Sequence, residues 1–82
     1  ISEDILYYPN PTQGEVDVFV HGEDRGVTMS VFTTKGDLVF TREQGIQESR
    51  KTQLDLSGVP AGTYLITLDG PTVRKTFKII RK

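Results

Sequence analysis

Apolar residues in this chain recur at every second position and nowhere at helical spacing, and that limits the fold more than any other feature. Val16, Val18 and Val20 alternate with Asp17 and Phe19, and Val27, Met29 and Val31 alternate with Thr28 and Ser30. Leu38 and Phe40 form a shorter example, and Leu54 and Leu56 another. Tyr64, Ile66 and Leu68 share one face of a later segment, as do Val73, Lys75, Phe77 and Ile79 near the end. Side chains of a strand point to opposite faces in turn, so each run is a half-buried strand. With Ile5 to Tyr8 as an opening edge segment, about seven short strands are expected.

Turn signals separate these runs. Pro9-Asn10-Pro11 lacks two ladder donors and cannot lie in a central strand, and Asn10 can satisfy nearby backbone groups. Gly14 is expected at positive φ before the second strand. Thr34-Lys35-Gly36-Asp37 reads as a hairpin with Gly36 left-handed. Pro60-Ala61-Gly62 fits a type I turn, and Asp69-Gly70 a tight turn before Pro71. Gln44 to Lys51 has no period and reads as the loosest loop. Strands at such intervals specify an all-β, antiparallel, immunoglobulin-like sandwich, without the cysteines and tryptophan of antibody domains.

The 82 residues make one domain, 1–82, and a chain this short buries only about 60–65% of the surface it exposes when unfolded. It has no cysteine, so no disulfide supports the core. Ile1 is not an initiator methionine and no signal peptide is visible in the sequence, so the domain is expected to be excised from, or processed out of, a longer protein. No apolar run approaches the ~20 residues of a membrane-spanning helix.

The net charge of −1 points to neither nucleic acid nor a bulk membrane surface, but the charges are unevenly placed. Six acids precede Arg25, whereas Arg74, Lys75, Lys78, Arg81 and Lys82 fill the last nine residues without an acid. Such an end is either a docking surface or the wet face of an edge strand, where lysine discourages aggregation.

Little chemistry is on offer. His21 is the only histidine and lies in a Gly-Glu-Asp turn, so neither a nucleophile–base pair nor a metal site is expected. The glycines fall one per turn and form no phosphate-binding loop. No cofactor and no catalytic residue is expected. Among the aromatics, Phe19 and Phe32 lie on the face opposite the valines and are candidates for an exposed contact patch.

The same residues resemble a family. Tyr8-Pro9-Asn10-Pro11 followed by Gly14, the segment Val31 to Val39 around Gly36, Leu54 to Tyr64 including Gly62, and the basic-apolar end Lys75 to Lys82 occur in order along nearly the whole chain. Together they are similar to the type A C-terminal sorting domains of the type IX secretion system of Bacteroidetes. Thr33 departs from the pattern, which often has an aspartate there; threonine accepts turn hydrogen bonds more weakly.

The resemblance implies a module that is not an enzyme. It implies a signal recognised by an outer-membrane translocon, which exports the parent through the periplasm to the cell surface. In many domains of that family a sortase then removes the domain and attaches the parent to anionic lipopolysaccharide; cleavage or retention of this one stays open. Recognition is expected at Pro9, Asn10, Pro11, Gly14, Gly36, Gly62, Tyr64, Lys75, Lys78, Arg81 and Lys82. Its physical form would be strand addition along Thr72 to Ile80, with the cations steering an acidic partner. A second reading is a retained accessory module that binds carbohydrate or lipopolysaccharide through the basic end. A third is a passive spacer.

Overall fold

A computed structural model describes residues 5–82. Among these described residues seven antiparallel strands form two sheets: β1 (Leu6–Tyr8), β2 (Glu15–Phe19), β3 (Gly26–Thr33), β4 (Leu38–Gly45), β5 (Lys51–Asp55), β6 (Gly62–Asp69) and β7 (Arg74–Arg81). The order β1-β2-β5 faces the order β4-β3-β6-β7. This is the expected all-β, immunoglobulin-like sandwich.

Its core is the set of residues that alternation assigns inward. Val16, Val18, Met29, Val31, Ile66, Leu68 and Ile79 are fully enclosed between the sheets. Removing this apolar surface from water is the main driving force for folding. Two contacts close the long sides of the sandwich. Tyr7 stacks on Phe77 with ring centroids 4.4 Å apart, and Gln44 donates a hydrogen bond to the Gln53 carbonyl at the other seam. Tyr64, near the start of β6, donates its hydroxyl to the Pro60 carbonyl at 2.6 Å. That is the tyrosine corner of immunoglobulin-like sandwiches.

Several local expectations fail for identifiable reasons. Leu38 and Phe40 do not share a face. The register slips between Val31 and Phe32, so Phe40 lies opposite inward Val31 and Leu38 opposite outward Phe32. A bulge of this kind reverses the faces that simple alternation predicts. The β-turn after β5 is Leu56–Val59, closed by the Val59 N–H on the Leu56 carbonyl, and Gly62 already opens β6. The β6–β7 turn centres on Pro71-Thr72, with the Gly70 N–H bonded to the Val73 carbonyl at 2.7 Å.

The polar stretch from Gln44 is not loose. β4 runs on to Gly45, and the remaining turn is held by Ile46 N–H to Arg25, Gln47 N–H to Lys51 and Arg50 N–H to Gln47. Arg50 has φ 69° and donates Nε to the Val20 carbonyl and Nη1 to the Asp24 carbonyl, both at 2.8 Å. These bonds fix a backbone conformation that arginine rarely adopts.

Candidate functional site

The residues singled out from sequence divide into a clasp, a basic strand edge and positions that only shape turns. The clasp is built from the segment between β1 and β2. The peptide bonds before Pro9 and Pro11 are both cis. The chain leaves the three-stranded sheet after Tyr8 and reaches the outer edge of β7, where Thr12 makes a parallel bridge to Arg81. Asn10 stands there in place of a strand. Its Oδ1 accepts the Ile80 N–H at 2.9 Å and its Nδ2 donates to the Lys78 carbonyl at 3.2 Å. The Thr12 N–H donates to the Ile80 carbonyl and its carbonyl accepts the Lys82 N–H, both at 2.8 Å. An amide side chain offers an NH2 donor and a C=O acceptor side by side, as a strand's backbone does, so Asn fits this task.

Thr12 and Gly14 extend the clasp to β5. Buried Thr12 donates its hydroxyl to the Glu15 carbonyl at 2.7 Å and accepts the Gly14 N–H at 3.0 Å. The Gly14 carbonyl accepts the Leu56 N–H at 2.7 Å. Gly14 is not at positive φ, contrary to expectation. A Cβ there would lie 3.3 Å from the Ser57 Cβ, so a larger residue would need Ser57 to give by a few tenths of an ångström. Arg81 completes the set, donating Nε to the Leu56 carbonyl at 3.0 Å and Nη2 to the Ser57 carbonyl at 3.3 Å. Its charge is committed inside the fold.

The first half of the β7 edge is different. Successive residues of a strand direct their backbone groups to alternate sides. Arg74, Thr76 and Lys78 share the outward side with Ile80. Among the described residues, no hydrogen bond reaches the outward groups of Arg74 and Thr76 or the Lys78 N–H. Lys75 lies in the inward row and is half-buried beside Ile5, Tyr7 and Phe77. A charge pointing inward on an edge strand opposes pairing with another copy of the same edge. Lys78 and Lys82 are exposed.

The other singled-out residues lie apart from this edge. Gly36 has φ 93° in the β3–β4 hairpin, as expected. Thr33 takes the place of an aspartate there adequately, because its Oγ accepts the Lys35 N–H at 3.3 Å and the Asp37 N–H at 3.2 Å. Tyr64 is buried and serves the corner. Phe19 meets Tyr8, with centroids 5.7 Å apart, so it is partly covered by the opening segment. His21 is exposed in its turn.

Sequence reasoning missed a second fastening at the start of β7. Asp24, buried although charged, accepts the Thr72 hydroxyl at 2.7 Å and the Thr72 N–H at 3.0 Å. The two Thr72 donors, backbone first, hold the Asp24 carboxyl below its ordinary value, and Arg50 adds attraction against the opposing effect of burial. Gly70 leaves room for it, since a Cβ there would come within 2.8 Å of Asp24 Oδ2. Asp55 is likewise lowered by Ser57, through hydroxyl and N–H, with the N–H 2.9 Å from Oδ1. Among the described residues, no three His, Cys, Asp or Glu side chains gather as metal ligands.

Among the described residues the polar groups serve an immunoglobulin-like sandwich, and one basic strand edge is fastened along half of its length. The chain belongs to the secretion system C-terminal sorting domains, whose family model matches residues 6–82. A comparison with curated proteins returns no match. Domains of this family are sorting signals for type IX secretion and not an enzyme family. The chain is therefore a signal for export to the cell surface or beyond, and it interacts with the secretion machinery.

Proposed function

We propose that the machinery reads this domain by adding a strand to the open half of β7, residues 74–78. The single observation behind this reading is the contrast along one edge. From the Lys78 carbonyl to the Lys82 N–H the outward groups are taken by Asn10 and Thr12, while those before them have no partner among the described residues. Main-chain hydrogen bonds bind irrespective of cargo, which suits a receptor that handles many different parents. Lys75, inward on that edge, favours a partner strand carrying a carboxylate, and Lys78 and Lys82 add steering. Of the residues named from sequence, Asn10 and Arg81 then act indirectly by holding the strand in place, and Pro9, Pro11 and Gly14 shape the segment that does so. Gly36, Gly62 and Tyr64 support the fold.

In this reading residues 1–82 form one domain at the end of a longer parent, without catalysis or cofactor of its own. The translocon in the outer membrane receives it from the periplasm, and a sortase exchanges it for anionic lipopolysaccharide at the surface. The decisive experiment fuses the chain to a reporter with a signal peptide in a type IX-competent bacterium. Thr76→Pro removes one outward N–H and no bond to β6, and proline is tolerated on an edge. A folded Thr76→Pro domain should leave the reporter in the periplasm. Display at the unmodified level would refute strand addition.

A further inference from the structure

The outer face of the four-stranded sheet is not uniform. Its rows run across β4, β3, β6 and β7, and the pairing places Thr41, Ser30, Thr67 and Thr76 in one of them. Ser30 and Thr41 share a hydrogen bond of 2.6 Å. The next row toward the β3–β4 hairpin holds Leu38, Phe32, Leu65 and Lys78, and Ile80 lies beyond, opposite Thr63. Leu38 is 57% exposed and Ile80 43%, with Phe32 and Leu65 half-buried beside them. The register slip at Val31/Phe32 is what turns Leu38 outward to complete this corner.

Isolated apolar residues on a surface require no explanation, but Leu38, Phe32 and Leu65 in register across three strands, with Ile80 adjoining on the fourth, form a patch. The fold does not need it, because the adjacent row shows that hydroxyls serve the same pleated surface. Its rim is basic: Lys78 ends the row, Lys82 follows Ile80, and Lys35 sits in the turn joining the strands of Phe32 and Leu38. Asp37 is the one acid in that turn.

We infer that this corner is a docking surface for a protein face that is apolar at its centre and carboxylate-bearing at its rim, separate from the open strand edge. Charge favours such a partner over a second copy, which would oppose lysine to lysine. Shape disfavours a lipid surface. The apolar groups are spread across four strands of a sheet, with no protruding tip, so insertion would also bury the hydroxyl row.

Reporter export tests this, using Leu38→Ser with Leu65→Ser, Lys35→Glu, and Glu43→Gln at the far end of the same face. The double variant should lower the displayed fraction at least fivefold and Lys35→Glu by a smaller factor, with Glu43→Gln unchanged and the purified domains still folded by circular dichroism. Undiminished display of the double variant would overturn the inference. So would a dimer in sedimentation that the double variant abolishes, or binding to vesicles of three parts phosphatidylethanolamine to one of phosphatidylglycerol that it abolishes. Thr76→Pro in the same assay reports on the strand edge separately, so either surface can fail alone.

Discussion

The two ends of β7 are fastened by different chemistry. At its start, a buried carboxylate on the β2–β3 connection accepts two hydrogen bonds from Thr72, in a space that only glycine at position 70 leaves open. At its end, a neutral amide, a threonine backbone and the Arg81 guanidinium take the bonds. Between the two the outward edge has no partner among the described residues. The last strand is thus anchored from both ends by separate contacts, neither of which uses the outward edge of residues 74–77.

Substitution at the start of β7 is the most damaging. Gly70→Ala forces a methyl against Asp24, Val73 and Val27, at 2.8, 3.0 and 3.1 Å, and is expected to cost about 1–3 kcal/mol in thermal or urea unfolding. The part of that cost due to Asp24 should vanish when Asp24 is also replaced by alanine, whereas the contacts with Val73 and Val27 persist. At the other end, Arg81→Met removes charged donors from the Leu56 and Ser57 carbonyls and is expected to cost about 2 kcal/mol. Asn10→Ala should cost about 1 kcal/mol, because water can replace the amide at an exposed edge. Asn10→Asp should cost more, as a carboxylate cannot donate to the Lys78 carbonyl.

Acid separates the ends more gently. Asp24 has its folded pKa below the ordinary 3.8, so its contribution is fully present above that value and disappears as pH falls through the folded pKa. Asp55, also lowered, behaves in the same way near the clasp. Stability measured by urea titration should be level from neutral pH to about 4 and fall below it. Asp24→Asn should remove one part of that fall and leave the part due to Asp55, and Asn10→Ala should leave its slope unchanged.

The sandwich was readable because its core obeys a local rule: Val16 to Val20, Val27 to Val31 and Tyr64 to Leu68 alternate, and alternation needs no knowledge of partners. Lys75 could be placed on the inward face for the same reason. What escaped depends on partners distant in sequence. Asn10 bonds to residues 68 and 70 positions away, and Asp24 to one 48 positions away. Nothing local marks Asn10 as more than a turn residue, or Asp24 as buried. The bulge that turns Leu38 outward arises in the pairing with β3, so the β4 segment alone carries no sign of it. The tyrosine corner was within reach, since Pro60 and Tyr64 have the spacing that this hydrogen bond requires.

Native-state hydrogen exchange along β7 tests the divided edge most directly. The Ile80 amide, covered by Asn10, should exchange at least about tenfold more slowly than the outward amides of Thr76 and Lys78, and Asn10→Ala should remove that difference. Equal protection of all three amides, or an Ile80 rate indifferent to Asn10→Ala, would contradict the account.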